Sequence, residues 1–587
     1  MVAKGLVFQM FGLDRGWWRY VSVPDLLRLC TGNVVGSLVA SIGILMLVPA
    51  GFPRSLYILD FLLCTLLTGG ARLTARVIFE LSRNSNPTGA KRTLIYGAGS
   101  AGVTLLREIR QSPALAYEIA GFVDDDPAKS GRMIHRARVL GGGQSLGEIV
   151  RAREIEMILI AVPGATGPQM TAILEHCHNA GVAYKTIPAL ADVIESAGLV
   201  SQIRNVAVED LLGRNPIQLD QTEISDRIEG KVVVVTGVAG SIGSELCRQI
   251  ARFHPAGIVG FECAESPLFY LEREINETFP EVPFHPEIGD IRDLQRLHEV
   301  FAQYQPSILY HAAAYKHVPM MESHAFEAVE NNVIGTCNVA LAAAQHHIAD
   351  FVMISSDKAV RPTSVMGATK RIAELLINRL KVEGTNYVSV RFGNVLGSNG
   401  SVIPIFKQQI AARKPLTITH PDMRRYFMTI PEAAQLVLQA STMGHGGEIF
   451  VLDMGEPVRI VDLARNLILL SGLRPDIDIP IQYTGVRPGE KLYEELAHME
   501  EETLPTYHPK IKIFAHSGAE QPIVETIQQL RFFCSTRDLP GLILQMKSLV
   551  PDYNPSAQIL QRVIQPAAPV PLPSSPRRAP HLSIVAR

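Results

Sequence analysis

The feature that most constrains the fold is a glycine-rich turn between an apolar run and a helical stretch. Residues 231–236 read Lys-Val-Val-Val-Val-Thr, which predicts a buried strand, and residues 244–252 have a helical pattern. Between them, Gly237, Gly240 and Gly243 follow the spacing G-x-x-G-x-x-G. Glycines at this point let the backbone approach a pyrophosphate, and the N-terminus of the next helix supplies N–H donors. The pattern predicts a Rossmann-type unit that binds a dinucleotide.

An acidic residue follows at the position that distinguishes the two nicotinamide dinucleotides. Glu262 ends the next predicted strand, 257–262, roughly twenty residues beyond the turn. A carboxylate there accepts hydrogen bonds from the adenosine ribose and repels a 2′-phosphate, so we expect NAD rather than NADP. Asp290 follows the third strand, where it can hold the adenine. The alternative is a glycine turn with a structural role and no ligand. That alternative does not explain why a strand, a glycine turn, a helix and an acidic residue follow one another in the order of a dinucleotide site.

The bulk composition limits the number of units and the kinds of partner. A chain of 587 residues is too long for one core and indicates three or four units. Lys and Arg number 55 against 57 Asp and Glu, so the net charge of -2 gives no support to nucleic acid as a partner. The seven cysteines contain no C-x-x-C pair, which predicts reduced thiols and no metal site.

The mean hydropathy of +0.15 is high for a chain with 19% charged residues, and the cause lies near the start. Residues 29–52 carry no charge, and this length can cross a hydrocarbon core of ~30 Å as a helix. A second apolar stretch, 55–71, contains Asp60 and is predicted as a short span, a re-entrant segment or an interfacial helix. A signal peptide fits the first stretch poorly because the apolar run is too long.

Basic residues flank the two apolar stretches on both outer sides: Arg15, Arg19 and Arg28 before them, and Arg72, Arg76, Arg83, Lys91 and Arg92 after them. The excess of Lys and Arg on cytoplasmic flanks therefore predicts a hairpin with both ends in the cytoplasm. We expect residues 1–81 to anchor the chain in the lipid bilayer of the cytoplasmic (inner) membrane, with the catalytic part in the cytoplasm.

An accessory α/β unit is predicted at 82–214, with strands at 93–96, 120–124 and 157–162. The turn Gly97 to Gly102 fits G-x-G-x-x-G. It could hold a nucleotide or regulatory ligand, or it could be part of a structural spacer. A linker at 215–229, a catalytic unit at 230–565 and a Pro-rich, disordered tail at 566–587 complete the chain. Strands that alternate with helices predict an α/β fold with two doubly wound parallel sheets after the membrane hairpin.

The end of a later strand, 351–355, is followed by polar residues that indicate an active site. Short-chain dehydrogenase/reductases place a Ser or Thr here and a Tyr-x-x-x-Lys on the next helix, where the i, i+4 spacing puts both side chains on one face. In this chain Ser356 and Lys370 match, and Met366 occupies the tyrosine position.

The wider pattern resembles the extended short-chain family of UDP-N-acetylglucosamine 4,6-dehydratases. In particular it is similar to the membrane-anchored polysaccharide-biosynthesis members of the capsule and O-antigen (CapD-like) type. The likeness covers about 230–510, although the family usually has more membrane helices and a loop with Ala-Gly or Gly-Gly where this chain has Val-Ala. The motifs that carry it are Val-Thr-Gly-Val-Ala-Gly-Ser-Ile-Gly-Ser-Glu (235–245), His311 to Glu322, Asn332 to Thr336, Ser355 to Lys370, Arg391 to Ser398, Arg424 to Met428 and Arg487 to Tyr493.

The resemblance implies a hydro-lyase (lyase class) that oxidises C4 transiently, removes the C5 proton, expels the 6-hydroxyl and returns hydride to C6. Asp357 is the expected acid, with a pKa raised by burial, and Lys358 the expected C5 base, with a depressed pKa. Ser356 would hydrogen-bond the 4-oxygen and Lys370 the nicotinamide ribose. Met366 cannot titrate, so the 4-hydroxyl proton is left to Asp357, Lys370 or a relayed water.

The resemblance also implies which residues bind the cofactor and the substrate, UDP-N-acetylglucosamine, with retention at C5 giving UDP-2-acetamido-2,6-dideoxy-α-D-xylo-hexos-4-ulose. We expect the chain to act as a homo-oligomer in capsule, O-antigen or glycoprotein glycan synthesis. The cofactor residues are Gly237, Gly240, Ser241, Ile242, Gly243, Glu262, Asp290, Ile291 and Lys370. The substrate residues are Lys316, Asn394, Arg425, Arg487 and Glu490, in which an arginine fork suits the diphosphate.

Two other functions remain open from the sequence. A C4 or C5 epimerase would use the same redox chemistry, but C4 epimerisation needs neither a C6 acid nor a C5 base, so the Asp357-Lys358 pair favours the dehydratase. A catalytically inactive scaffold that senses nucleotide sugars is the other alternative, in which Met366 marks lost catalysis. His311 and His317 are predicted to buttress the pocket and are not assigned acid–base roles.

Overall fold

The structure is a computed structural model in which two compact units can be described. One extends to Ala161 and the other begins at Val162. The tail 566–587, the linker residues 215–218 and the end of the first apolar run, 48–52, lie outside the described residues, and the predicted domain boundaries stay predictions. The described residues are 2–10, 23–47, 53, 55–82, 90–111, 116–187, 203–212, 219–380, 382–496, 503–514 and 523–565.

The first unit begins with three helices, α1 (Val2–Met10), α2 (Val23–Leu47) and α3 (Ser55–Ser82). The second apolar helix is longer than predicted, since it continues past residue 71 to Ser82. Two windows, Leu29–Met46 and Ser55–Arg72, are long and apolar enough to cross a membrane by length and composition. Polar side chains connect the helices: the Asn33 amide donates to the Thr68 hydroxyl at 3.3 Å, and Ser37 donates to Asp60 at 3.5 Å.

The rest of the first unit contains a parallel sheet in the order β2-β1-β5 and two helices beside it. The three strands confirm the predictions at 93–96, 120–124 and 157–162, with shifted ends. The elements are β1 (Lys91–Tyr96), α4 (Ser100–Gln111), β2 (Tyr117–Val123), the hairpin β3 (Met133–Ile134) and β4 (Ala137–Arg138), α5 (Leu146–Arg153) and β5 (Met157–Ile160).

The second unit is built on a nine-stranded sheet in the order β20-β21-β17-β12-β11-β10-β7-β8-β9. Seven strands are parallel, and β21 and β20 add an antiparallel edge. The strands are β7 (Val232–Thr236), β8 (Gly257–Glu262), β9 (Phe284–Ile288), β10 (Ile308–His311), β11 (Asp350–Ile354), β12 (Asn386–Arg391), β17 (Ile449–Leu452), β20 (Thr503–Pro505) and β21 (Ile511–Phe514).

This strand order confirms the doubly wound Rossmann-like fold. The first six parallel strands follow the order 3-2-1-4-5-6, which reverses between β7 and β10. Ligands of such sheets bind outside the carboxyl ends of the strands at that reversal. The central strands are largely apolar because helices cover both faces, and all five residues of β11 are buried.

Helices and short strand pairs surround this sheet. They include three two-stranded pairs: β13 (Asn394–Val395) with β16 (Phe427–Met428), β14 (Leu416–Ile418) with β19 (Ile481–Tyr483), and β15 (Arg424–Arg425) with β18 (Val458–Arg459). Strand β6 (Ala183–Thr186) does not belong to this nine-stranded sheet. The helices are α6 (Gly167–Ala180), α7 (Gln221–Ile228), α8 (Ser241–Ala251), α9 (Glu265–Thr278), α10 (Leu294–Tyr304), α11 (Val318–Ser323), α12 (Ala325–Val329), α13 (Thr336–Gln345), α14 (Val365–Arg379), α15 (Val402–Ala411), α16 (Ile430–Met443), α17 (Ile460–Leu470), α18 (Ile523–Ser535), α19 (Leu539–Leu549) and α20 (Ala557–Ile564).

Part of the predicted linker 215–229 is helical. Helix α7 begins after Asp220, whose side chain caps it by accepting from the Glu223 amide at 3.1 Å. Ile224 and Ile228, four residues apart on one face, are buried in the same apolar cluster as β7. The apolar i, i+4 pair explains why these residues fold onto the second unit.

A fully buried ion pair connects α14 to β12. The Arg391 guanidinium contacts the Glu374 carboxylate at 2.8 Å, and both side chains are 0% exposed. Glu374 also accepts from Ser355 at 2.6 Å and from Arg371 at 3.0 Å. Burial alone would raise the pKa of Glu374, but the charge of Arg391 lowers it to about 2. The pair therefore holds the helix that carries Lys370 against the strand beside β11.

Replacement of Glu374 tests this contact. Glu374→Gln should lower the free energy of unfolding by about 3–5 kcal/mol, because it leaves the Arg391 charge buried without its partner. Denaturant unfolding of the full-length protein in detergent measures the change. Glu383→Gln, at an exposed position, is the matched control and should stay within about 0.5 kcal/mol of the parent. A loss below about 1 kcal/mol for Glu374→Gln would contradict the structural role of the pair.

Candidate active site

The glycine turn after β7 forms a cradle that excludes side chains. Gly237 has a φ of +66°, and a Cβ added there would lie 2.6 Å from the Ala313 backbone. A Cβ on Gly243 would lie 2.3 Å from the Gly237 carbonyl oxygen, and one on Gly240 would lie 3.1 Å from it. Ser241 and Ile242 then begin α8. A bare loop at a helix N-terminus at the reversal of the sheet fits the pyrophosphate of a dinucleotide.

Glu262 folds back onto this turn. Its carboxylate accepts from the backbone N–H of Ala239 at 3.3 Å, and from those of Cys263 and Ala264 at 3.0 and 3.1 Å. The acid predicted to bind the adenosine ribose thus lies beside the glycine loop, as that role requires.

Asp290 and Ile291 follow β9 nearby in the chain. Arg292 donates to the Asp290 carboxylate from its Nε at 3.0 Å, and this contact lowers the pKa of Asp290. Ile291 is 5% exposed, and a Cβ on Gly335 would lie 2.7 Å from its side chain. Because Arg292 holds the Asp290 carboxylate, contact of that carboxylate with adenine stays a prediction.

The turn at Gly97 to Gly102 in the first unit has a similar construction. Gly97 has a φ of +108°, and a Cβ on Gly102 would lie 2.0 Å from the Gly97 carbonyl oxygen. The Ala98 N–H donates to Asp124 at 2.7 Å, which repeats the contact between Ala239 and Glu262. This geometry fits both the ligand-binding and the spacer interpretation.

Three of the predicted catalytic residues lie together after β11. The Ser356 hydroxyl donates to Asp357 Oδ1 at 2.8 Å, and Lys358 Nζ contacts the same oxygen at 3.1 Å. Lys358 Nζ also donates to Asn394 Oδ1 at 3.1 Å and contacts Glu494 Oε1 at 2.9 Å. Asp357 is 1% exposed, so this is a buried cluster of an ammonium, two carboxyl groups and an amide.

The pKa shifts of Asp357 and Lys358 run opposite to the sequence expectation. Burial raises the pKa of Asp357, but the charge of Lys358 and hydrogen bonds from its neighbours hold it below the usual value. Burial lowers the pKa of Lys358, but the charges of Asp357 and Glu494 raise it overall. The expected raised pKa of Asp357 and depressed pKa of Lys358 are therefore wrong for the free enzyme, because each group neutralises the other.

Glu494 is the member of this cluster that the sequence pattern did not single out. Burial and the negative charge of Asp357 raise its pKa to about 7, against the opposing charges of Lys358 and Arg425. The motif Arg487 to Tyr493 ends one residue before it. The acidic pair Glu494-Glu495 directly after that motif was the available signal.

Lys370 and Met366 lie on the buried helix α14. Lys370 is 7% exposed and donates to the Ile354 carbonyl at 2.9 Å, and burial lowers its pKa to about 8. Met366 is 2% exposed and belongs to an apolar cluster with Val329 and Leu530. Met366 thus packs in the core, whereas Lys370 reaches the last residue of β11, shortly before Asp357.

Among the predicted substrate residues, Asn394 and Arg425 belong to the buried cluster. Asn394 donates to Glu494 Oε2 at 2.7 Å. Each nitrogen of Arg425 contacts a protein acceptor: Nε contacts Glu494 at 3.1 Å, and Nη1 and Nη2 donate to the Arg424 and Lys491 carbonyls, each at 2.8 Å. Most of the Arg425 donors are therefore engaged by the protein itself.

Arg487 and Glu490 form a separate group at the surface. The guanidinium of Arg487 contacts Glu490 at 2.6 Å, and its side chain is 57% exposed. Both line a cavity of about 370 Å³ together with Thr363, Gly489 and Ser556. Lys316 is exposed as a residue. Its ammonium is nevertheless partly desolvated by neighbouring protein atoms, and this effect and the charge of Lys358 lower its pKa.

Two polar residues organise the region between the glycine turn and α14. Asn332, in a π-helical turn at Glu330–Gly335, accepts from the Tyr315 N–H at 2.8 Å and donates to the Thr369 hydroxyl at 3.1 Å. His311 contacts Thr236 at 2.7 Å and Thr336 at 2.9 Å, and burial lowers its pKa to about 3. His311 is neutral and has a hydrogen bond at each ring nitrogen, which are the contacts expected of a residue that supports the pocket without acting as an acid or a base. No cluster of three or more His, Cys, Asp or Glu side chains that could hold a metal ion occurs in the described part of the chain.

Comparison with known proteins identifies the family. The family described as "Polysaccharide biosynthesis protein" matches residues 233–516, and the family described as "CoA-binding domain" matches residues 16–188. The probable polysaccharide biosynthesis protein EpsC of Bacillus subtilis (strain 168) is 44% identical over 540 residues, which cover 92% of this chain and 89% of that protein.

Two further relatives show the range of the similarity. The capsular polysaccharide biosynthesis protein CapD of Staphylococcus aureus is 43% identical over 506 residues, covering 85% of this chain and 84% of that protein. A UDP-glucose 4-epimerase of Rickettsia conorii (strain ATCC VR-613 / Malish 7) is 35% identical over 283 residues, covering 46% of this chain and 79% of that protein. The chain therefore belongs to the polysaccharide biosynthesis protein family of the EpsC and CapD type, whose members are nucleotide-sugar-modifying enzymes on the extended short-chain dehydrogenase/reductase fold.

Proposed function

We propose that this protein is a UDP-N-acetylglucosamine 4,6-dehydratase with NAD as its cofactor. The observation that carries the proposal is the buried contact between Asp357 and Lys358 at the carboxyl end of β11. Elimination of water across C5 and C6 needs an acid and a base side by side, and this pair supplies both. Epimerisation at C4 has no use for such a pair.

The chain's own residues would act as follows. A bound nicotinamide would supply the reversible oxidation of C4. The 3.1 Å contact between Lys358 Nζ and Asp357 Oδ1 lets one proton pass from the ammonium to the carboxylate, which yields an amine and a carboxylic acid. The amine can then take the C5 proton and the acid can protonate the departing 6-hydroxyl. The Ser356 hydroxyl would turn from Asp357 to the 4-oxygen, and Lys370 would hold the nicotinamide ribose.

A nucleotide-sugar epimerase is the second candidate. The 35% identity to a UDP-glucose 4-epimerase over the catalytic half favours it, because both reactions begin with oxidation at C4. The inactive scaffold is the third, for which Met366 is the supporting residue. The group that takes the 4-hydroxyl proton stays open among Asp357, Lys370 and a water, and the homo-oligomeric state stays a prediction.

The reaction product separates these candidates. We expect the full-length protein, incubated with UDP-N-acetylglucosamine, to give a sugar with a C6 methyl doublet and a 4-keto or hydrated carbon in NMR spectra. Because the cofactor is regenerated in each turnover, NADH should not accumulate and its absorbance should not rise. A new hexose stereoisomer would support the epimerase, and binding without any change of the sugar would support the scaffold.

The acid–base pair has its own test. Asp357→Asn and Lys358→Met should each lower the dehydration rate by about 10²–10⁴-fold, since each removes one partner of the elimination. Initial rates of 4-ketosugar formation measure the effect. Lys407→Met, at an exposed position of α15, is the matched control and should keep the parent rate. Full activity of either Asp357→Asn or Lys358→Met would overturn the assignment even if the product is as expected.

The cofactor preference depends on Glu262. Glu262→Ala should raise the Kd for NAD about ten- to hundred-fold, because charge-assisted hydrogen bonds to the ribose are lost. The difference between the Kd values for NAD and NADP should become smaller. Calorimetric titration with both dinucleotides measures this. Glu265→Ala, an exposed acid in the first turn of α9, is the control. An unchanged NAD affinity in Glu262→Ala would rule out contact with the ribose.

Helices α2 and α3 are proposed to form a membrane hairpin. Their outer surfaces carry leucines that are between 57% and 74% exposed: Leu38, Leu45, Leu62 and Leu66. Exposure of so many large apolar side chains is unfavourable in water but not in lipid. Deletion of residues 2–82 should move the protein from the carbonate-washed membrane pellet to the soluble fraction, and deletion of 566–587 should not. Extraction of the full-length protein by carbonate would contradict a spanning hairpin.

A further inference from the structure

Glu494 contacts every charged member of the buried cluster. Its side chain is 4% exposed, and its Oε1 lies 2.9 Å from Lys358 Nζ and 3.1 Å from Arg425 Nε. Its Oε2 accepts from the Asn394 amide at 2.7 Å. The same carboxyl group also lies within hydrogen-bonding reach of Asp357. Neither proton transfer of the Asp357-Lys358 pair passes through this carboxyl group.

A hydrogen bond between two carboxyl groups needs a proton on one of them. Asp357 Oδ1 already accepts from Ser356 and Lys358, whereas Oδ2 is buried and receives no hydrogen bond from a conventional donor among the described residues. Glu494 is the group beside it that can supply one. Its raised pKa of about 7, with the lowered pKa of Asp357, agrees with a proton that resides on Glu494.

We propose that Glu494 is a positioning residue that acts as a neutral acid: it donates a hydrogen bond to Asp357 Oδ2, which holds that carboxyl group beside Lys358, and its lack of charge weakens the hold on the Lys358 proton. This inference rests on the proposed dehydratase function. When Glu494 is ionised, the Lys358 ammonium lies between two carboxylates, at 2.9 and 3.1 Å, and their charges hold its proton. When Glu494 is neutral, one of these charges is removed.

The proton balance of the cluster then closes. An N–H bond of Lys358 breaks and an O–H bond forms on Asp357. The amine takes the C5 proton, the Asp357 proton goes to the departing 6-hydroxyl, the C6–O bond breaks and water leaves. Lys358 returns its proton to C5, and the proton released from the 4-hydroxyl when C4 is oxidised replaces the one lost with the water. Glu494 keeps its proton throughout.

The pH dependence follows from the groups that face Glu494. These are Asp357 and Lys358 after β11, Arg425 and Tyr426 in and after β15, and Lys491 in its own segment. Since the active form has a neutral Glu494, kcat/KM for dehydration should be high below about pH 7 and should fall as the pH rises through that value.

Glu494→Gln tests the inference because glutamine keeps the donor and the volume but cannot ionise. In the full-length protein with NAD, we expect the falling limb of kcat/KM near pH 7 to move upward by at least about one pH unit. The matched control is Glu495→Gln, which loses the exposed pair with Arg361 and should keep the limb where the parent has it. A merely structural role would lower the rate at every pH without moving the limb. A Glu494→Gln profile that superimposes on the parent would overturn the proposal.

Infrared difference spectra give a readout that does not need the reaction. Between about pH 6 and 8 the parent and Glu495→Gln should lose the carbonyl band of one protonated carboxylic acid, with a midpoint near 7, and Glu494→Gln should not. If Glu494→Gln does not fold, Glu494→Asp should keep this band at a shifted frequency. The absence of a titrating band in the parent refutes a neutral Glu494 whatever the product. If the parent shows the titrating band but the product is not the 4-keto sugar, the dehydratase function is refuted and the neutral Glu494 is retained.

Discussion

The buried ion pair between Glu374 and Arg391 is the contact on which the geometry of the site depends. It joins helix α14, which carries Lys370, to strand β12, and Arg391 also donates to the Leu496 carbonyl at 3.3 Å. Leu496 lies two residues after Glu494, so the same guanidinium that orients the helix also holds the segment that delivers this carboxyl group. Two buried charges are costly unless fully paired, and here Ser355 and Arg371 complete the pairing of Glu374. These buried polar contacts thus fix the helix, the strand and the segment that position the acid–base cluster.

Much of the fold could be predicted because two physical constraints act locally. Parallel strands covered on both faces must be apolar along their length, and β8 has the predicted bounds 257–262 for that reason. Gly237 and Gly243 are required by backbone contacts of 2.6 and 2.3 Å. Strands β17, β20 and β21 were not predicted, because they are short and their pairing depends on distant partners. Helix α7 was interpreted as a linker because its polar residues outnumber the buried Ile224 and Ile228.

The site could be predicted only as far as residue identity. Residues at strand ends, such as Ser356, Asp357 and Lys358, are brought together by the topology of any doubly wound sheet. Their pKa shifts depend first on the charge that each of Asp357 and Lys358 exerts on the other. Glu494, from a distant part of the chain, adds to both shifts, since it lowers the pKa of Asp357 and raises that of Lys358. Arg425 likewise matched a binding pattern, yet its guanidinium is engaged by carbonyl oxygens of Arg424 and Lys491. Long-range electrostatics carries no local sequence signature.

The position of Glu494 in the chain has a consequence for synthesis on the ribosome. The glycine turn, β7 to β12 and α14 all precede it, and the segment that carries it docks onto residues already folded, through Thr363 to the Gly489 carbonyl at 3.1 Å and Lys491 to the Val360 carbonyl at 2.8 Å. A nascent chain can therefore assemble its dinucleotide cradle long before its proton chemistry is complete. Messages cut short just before this late region would give proteins that lack Glu494 while retaining the residues of the cradle and the Asp357-Lys358 pair.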